Sequence, residues 1–324
     1  MTQTYQRTPQ EPVGSGFGHD STAIEVLEGI DLTGKLVVLT GGYSGIGLEA
    51  TRALTAAGAH VVVPARRPEH AAAELGGVGE VAELDLGDQG SIARFANTFL
   101  DSGRSIDAFI GNAGIMANPL IRIEGGWESQ FGTNHLGHYA LVNRLWPAIA
   151  AGGGRVVSLS SSAHHRSGIR WDDVMFERSE YDKWAAYGQA KTANALFALH
   201  LDALAAPQGV RAFSVHPGGI LTPLQRHLPR EEMVNLGWID ADGNLLMDGF
   251  KTPAGGASTE VWAATNPKLD GLGGVFCEDC EIALPVDAER PRFTVGVAPH
   301  ATDPEAAARL WALSAELTGV DAFA

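Results

Sequence analysis

From Lys35 to Gly218, short apolar runs alternate with longer segments whose apolar positions recur every three to four residues. The runs KLVVLTG (35–41), HVVVPAR (60–66), EVAELDL (80–86), IDAFIGNAG (106–114), GRVVSLSS (154–161) and VRAFSVHPG (210–218) are short and rich in β-branched residues. That is the pattern of strands buried on both faces. Helical periodicity fills the gaps, over 45–58, 91–103, 126–152 and 184–205. A short helix is predicted at 22–28. The regularity loosens over 220–250 and resumes with helices near 253–266 and 304–317 and a short strand near 274–276.

Strands alternating with helices predict an α/β fold. Its core is a single doubly wound parallel sheet of Rossmann type, because right-handed crossovers place helices on both faces. No linker marks a second domain, so residues 21–324 are expected to form one domain with a C-terminal substrate-binding extension. Residues 1–20 carry Gly, Pro, Gln and Thr with little apolar content and are predicted to be a flexible arm.

The first strand runs directly into Thr40-Gly-Gly-Tyr-Ser-Gly-Ile-Gly47. Gly41, Gly45 and Gly47 let the backbone turn tightly and approach a ligand where no Cβ intrudes. The helix that starts there turns its free N–H groups and positive dipole end toward the same loop. A glycine-rich turn alone is a weak signal, but between the first strand and first helix of an alternating chain it points to a dinucleotide. Tyr43, Ser44 and Ile46 belong to the same turn. Where an NAD site usually carries an acid at the end of the second strand, this chain has Arg66 and Arg67. A guanidinium suits a 2′-phosphate through charge and paired hydrogen bonds, which favours NADP (NADPH) over NAD. The other reading is two solvated surface arginines. Asp85, followed by Leu86 at the end of the third strand, is placed to meet the adenine edge.

Tyr187 and Lys191 stand four residues apart in YGQAK, on one face of the 184–205 helix. An isolated Tyr-x-x-x-Lys is more often simple packing with a snorkelling lysine. Here it joins a series of motifs in a fixed order, and the chain from about Lys35 to Thr222 resembles the short-chain dehydrogenase/reductase family. The motifs are the glycine turn, Asp85, Asn112-Ala113-Gly114, Asn134, Ser161, Tyr187-x-x-x-Lys191 and Pro217-Gly218. Each is weak alone and their combination is specific. SSSAHH (160–165), the long insert before the tyrosine, AKTANALFALHL and the long C-terminal region resemble the retinol-dehydrogenase-like branch.

The resemblance implies that Tyr187 is the general acid/base and that Lys191 lowers its pKa. It implies that Ser161 donates a hydrogen bond to the substrate oxygen, with Ser160 and Ser162 as fallbacks, and that Asn134 holds a proton-relaying water. Asn112, Ala113 and Gly114 would close over the adenosine ribose, and Pro217, Gly218 and Thr222 would border the nicotinamide carboxamide. The expected function is an NADP-dependent oxidoreductase that moves hydride between nicotinamide and a hydrophobic alcohol or carbonyl. The alternative is a non-catalytic dinucleotide sensor of the same fold. An epimerase or dehydratase would space its glycines Gly-x-x-Gly-x-x-Gly, unlike Gly41-x-x-x-Gly45-x-Gly47. His164 and His165 raise a Ser-His hydrolase site, but no Gly-x-Ser-x-Gly elbow surrounds the serine.

Composition narrows the picture further. The chain has 324 residues, 45% hydrophobic and 19% charged, with a formal charge of −15. Such an acidic balance argues against a nucleic-acid partner. No apolar run reaches the length of a membrane span and the N-terminus lacks a basic-then-apolar signal, so a cytoplasmic protein is expected. Cys277 and Cys280 form the only Cys-x-x-Cys, without a second pair for zinc and among acids that disfavour thiolate, so no metal is expected. Ile220, Leu221, Leu224, Leu228, Met233, Leu236, Trp238, Leu245, Leu246, Met247 and Phe250, with Trp171 and Trp184, suggest an apolar lid over the site or plain packing of a loop. Apolar residues on more than one face of the 184–205 helix suggest a homodimer.

Overall fold

In a computed structural model, described over residues 5–246, 249–286 and 295–324, eight strands form one sheet in the order β3-β2-β1-β4-β5-β6-β7-β8. The first half runs β1 (Leu36–Thr40), α1 (Gly45–Ala56), β2 (His60–Ala65), α2 (Pro68–Leu75), β3 (Glu80–Glu83), α3 (Gln89–Asp101) and β4 (Ala108–Gly111). There follow α4 (Ser129–Phe131), a π turn (Gly132–Leu136), α5 (Gly137–Arg144), α6 (Trp146–Gly152), β5 (Arg155–Leu159), α7 (Lys183–Ala205) and β6 (Arg211–His216). The remainder holds α8 (Arg230–Asn235), α9 (Pro253–Gly256), α10 (Ser258–Thr265), β7 (Val275–Glu278), β8 (Glu281–Ile282) and α11 (Pro304–Thr318). All neighbours pair in parallel except β8, which runs antiparallel to β7.

The strand order reverses direction between β1 and β4. Crossovers leave to opposite faces there, and a crevice opens beyond the carboxyl ends of the strands. Apolar residues of both sheet faces are buried in separate clusters. Val37, Leu39, Val61 and Val63 pack with α1 and α10, while Val38, Val62, Phe109 and Val156 pack with α3, α5 and α7. The alternation along each strand therefore supplies both cores, as a sheet covered on two sides requires.

Several predicted elements differ in detail. The helix expected over 126–152 is broken. The π turn interrupts it, and Pro147 starts a fresh helix at the only place a proline fits, the first turn of α6. The helix at 22–28 is a single 3-10 turn, Glu25–Leu27. α2 and α8 were not predicted, being short and only weakly patterned.

Residues 5–20, predicted as a flexible arm, instead run as a strap along the β7–β8 edge. Tyr5 Oη donates to Asp202 at 3.0 Å, and Gln10 bridges Phe276 and Ala283. The backbone amides of Val13 and Ser15 donate to the two oxygens of Glu281. Polar residues here serve as anchors to an otherwise open sheet edge, which composition alone does not reveal.

The dimer expectation rested on the second apolar face of α7. The second apolar face of α7 is covered by the chain's own α11. Ala193, Leu196 and Leu199 pack with Ala307 and Leu310, and the Phe197 and Trp311 rings stack at 5.9 Å. No helix of the described residues is long and apolar enough to cross a membrane.

Candidate active site

The crevice is a cavity of about 710 Å³ at the carboxyl ends of β1, β2, β4, β5 and β6. One end is built by the glycine turn. Gly41 has φ +70°, and a Cβ there would meet Asn112 Nδ2 at 2.9 Å. A Cβ on Gly47 would lie 2.4 Å from Gly41 O, so only glycine allows this close crossing. Gly47 thus shapes the turn from behind, while Gly41, Tyr43, Ser44, Gly45 and Ile46 line the cavity. Ser44 precedes α1 without capping it by its side chain, so first-turn N–H groups of α1 remain open toward the cavity. These features fit a pyrophosphate.

β4 adds the next wall. Asn112 Nδ2 donates to Thr40 O (2.9 Å) and the Ala113 amide to Thr40 Oγ1 (3.1 Å), locking the two strand ends together. Asn112, Ala113 and Gly114 all line the cavity, as do Arg66 and Arg67 at the end of β2. Neither guanidinium is held by an ion pair or hydrogen bond among the described residues. His70 and Glu74 of α2 join them in the wall, with the His70 and Tyr43 rings edge to face at 6.0 Å. Sequence reasoning missed this pair together with α2. Asp85 and Leu86 are not brought to the cavity wall. β3 stops at Glu83 and the chain turns, so Asp85 Oδ1 accepts from the Gly87 amide at 2.9 Å and Leu86 is buried against Gly137.

The other end of the cavity collects the expected catalytic set. Tyr187 lies at the start of the buried stretch of α7, 4% exposed, with the Ser161 side chain near enough to its hydroxyl to favour the phenolate. Lys191 Nζ lies 5.6 Å from the Tyr187 ring centre and donates to Leu159 O at 2.8 Å. Burial holds the Lys191 ammonium down at about 8. It also pushes the Tyr187 phenol up, against the lowering effect of Ser161. With protein groups alone, the expected lowering of the phenol by Lys191 therefore does not appear. Desolvation dominates, and Ser161 is the group that opposes it.

The three serines separate clearly. Ser160 is buried and its Oγ donates to Lys191 O, Ser162 offers its amide to His216 Nδ1, and Ser161 alone meets Tyr187. Asn134 lies in the π turn, behind the wall. Its side chain clasps the Ile115 backbone, accepting from the amide and donating to the carbonyl, both at 2.9 Å. A π turn shifts one residue out of helical register, a feature often found at functional positions.

Pro217, Gly218 and Thr222 line the cavity above this set, with Thr222 capping the 3-10 turn Pro223–His227. The 220–250 segment folds over Tyr187. Leu228 is buried with Met116, Ala163 and Tyr187, and Leu224, Met233, Trp184 and Trp238 pack against them. Trp238 contacts Trp184 and Phe250, each at 6.0 Å between ring centres. Leu245 and Leu246 point outward instead, and Met247 lies outside the described residues. Trp171 does not join the lid. It packs beside α7 and α11, with Arg309 over its ring at 4.2 Å. Cys277 in β7 and Cys280 in the β7–β8 turn are buried free thiols, and burial pushes both up, away from thiolate.

The chain that builds this crevice matches known proteins over most of its length. A family model described as "short chain dehydrogenase" matches residues 35–233. The chain belongs to the short-chain dehydrogenase/reductase family, in its retinol-dehydrogenase-like branch, and is an oxidoreductase acting on CH–OH and C=O groups. Among its relatives, a Streptomyces antibioticus protein named "Probable oxidoreductase" is 43% identical over 87% of this chain and 97% of its own. "Retinol dehydrogenase 12" of Homo sapiens is 35% identical over 90% and 88%. The crystal structure of an uncharacterised Mycobacterium paratuberculosis protein superposes with a TM-score of 0.69 at 35% identity, covering 91% of this chain and 96% of that one.

Proposed function

We propose that the protein is an NADP-dependent oxidoreductase for a hydrophobic alcohol or carbonyl, with Tyr187 as general acid/base. The observation that carries this is a buried tyrosine that lines, with Ser161 and Lys191, the same cavity as an open glycine turn. The nicotinamide cofactor, when bound, supplies or accepts the hydride. The glycine turn and the open N–H groups of α1 hold its pyrophosphate, and Arg66 and Arg67 its 2′-phosphate.

In the reducing direction Ser161 Oγ–H holds the carbonyl oxygen, and Tyr187 gives that oxygen its phenolic proton as the carbon gains hydride. The product is the alcohol, and the phenolate left behind faces the Lys191 ammonium. Burial keeps the phenol protonated at neutral pH, which suits it to donate. In the oxidising direction the same oxygen must take the alcohol's proton, and nearby positive charge makes this feasible. Asn134 holds the Ile115 backbone and thereby the floor beside Lys191. The Met116, Leu224, Leu228, Trp184 and Trp238 cluster supports an apolar substrate, and it keeps water from the reacting carbon. The buried free thiols suit a cytoplasmic setting, which we adopt.

The experiment is a turnover assay with NADPH across straight-chain and aromatic aldehydes, followed by Tyr187→Phe. The variant should lose on the order of a hundredfold or more in kcat, the low end for losing a general acid/base, with NADPH affinity unchanged. A folded variant turning over at the wild-type rate would overturn the mechanism and favour a dinucleotide sensor.

A further inference from the structure

His164 follows Ser161 by three residues and is completely buried behind it. Its ring is fixed at both nitrogens. The Ala298 backbone N–H, which can only donate, points at Nε2 from 3.0 Å. Nε2 therefore carries the lone pair, and the ring proton sits on Nδ1, which donates to Ser161 O at 2.6 Å. The backbone amide of His164 donates to that same carbonyl at 3.0 Å. One residue thus occupies the Ser161 carbonyl twice.

This matters because Ser161 is the point where the chain leaves the sheet. The Ser160 amide still bonds Val215 O across to β6, whereas Ser161 is extended and starts the 3-10 turn Ser162–Arg166. Without a strand partner, the peptide that carries Ser161 Oγ depends on other groups for its orientation. The His164 ring lies against Phe276 at 4.8 Å, and His300 Nε2 bonds the His164 carbonyl at 2.8 Å, so the segment 298–300 holds the ring from behind.

We infer that His164 is a positioning residue: its Nδ1–H clamps the Ser161 peptide so that the serine hydroxyl faces Tyr187, and Ala298 fixes the tautomer that makes this possible. The inference rests on the reading of Ser161 as hydrogen-bond donor to the substrate oxygen. It also accounts for a histidine beside a serine without nucleophilic chemistry, since a ring used at both nitrogens has no free base to offer. A small displacement of a reacting group can cost as much as about a hundredfold in rate.

The first test uses the wild-type protein. Ring ¹⁵N chemical shifts should report a neutral His164 protonated at Nδ1, and protonation at Nε2 would overturn the inference. The second is a mutant cycle assayed with NADPH and the best aldehyde of the series above. His164→Gln keeps an acceptor for Ala298 and loses the Nδ1 donor. It should lower kcat by about tenfold or more with NADPH affinity unchanged. His164→Asn, whose side-chain amide can stand where Nδ1 was, should recover most of that loss. In a Ser161→Ala background, His164→Gln should cost nothing further, because coupled residues are non-additive. If Ser161→Ala alone leaves kcat intact, the serine reading fails and the inference falls with it. If Ser161→Ala is impaired and His164→Gln has wild-type kcat, or its full penalty survives in the double variant, the inference alone fails. Should His164→Gln not fold, the ¹⁵N shifts and His164→Asn decide, and an Asn variant that folds yet loses tenfold or more overturns it.

Discussion

Arg66 and Arg67 end β2 with exposed guanidiniums that no carboxylate of the described residues neutralises, and both line the cavity. A ribose 2′-phosphate would supply the missing anion. A charge-assisted pair of this kind contributes about 1.5–3 kcal/mol, roughly tenfold to a hundredfold in affinity. Titration by cofactor fluorescence should therefore show NADPH binding tighter than NADH, and Arg66→Asp should reverse the order. A wild-type preference for NADH would refute the assignment. At this scale the sequence was informative where chemistry depends on residue type and order. Gly41, Gly45, Ser161, Tyr187 and Lys191 all line the cavity, and Gly47 shapes the turn behind it. It was uninformative where a side chain is used by the backbone around it, as with Asp85 in its own turn and Asn134 on Ile115.

Among elements, α11 has the widest effect. Trp311 stacks on Phe197 of α7 and meets Tyr139 of α5 edge to face at 4.9 Å, and His135 bonds Ser314 at 2.8 Å. The face of α7 that periodicity left unassigned is thus covered from within. Light scattering at micromolar concentration should give the mass of a monomer, and a dimer mass would show that another face associates. The doubly wound order was legible because each strand and crossover has its own local period. The pairing of α7 with α11 was not, since the two are far apart in sequence and either could have faced a second subunit. The π turn was illegible for a different reason: one extra residue in a helix barely disturbs a period of 3.6.

For the molecule as a whole, Glu260 sets a pH dependence of stability. It is fully buried in α10, and neither carboxylate oxygen has a hydrogen-bond partner among the described residues. Burial pushes the carboxyl up to about 8, above the ordinary 4.5 it regains on unfolding. Its contribution is intact below 4.5, declines as pH rises from there, and stops declining beyond about 8. Urea midpoints of wild type and Glu260→Gln should agree near about pH 5 and diverge toward about pH 9, with the Gln variant the more stable. Parallel curves would mean that the carboxyl ionises in the folded protein as readily as in the unfolded chain.

The lid segment leaves and rejoins the framework at one point. Gly219 and Phe250 form a parallel backbone bridge, and the Lys251 amide donates to Gly219 O at 2.8 Å. Chain joined at a single pinch is cheap to resize, because closure entropy grows only with the logarithm of length. Insertions and deletions between those two residues leave the register of β6 and β7 unchanged. On the proposed reading, inherited variation beyond Thr222 can rewrite this stretch as a cassette while the glycine turn and strand ends stay constant, so descendants of one ancestor can come to act on different molecules with the same machinery.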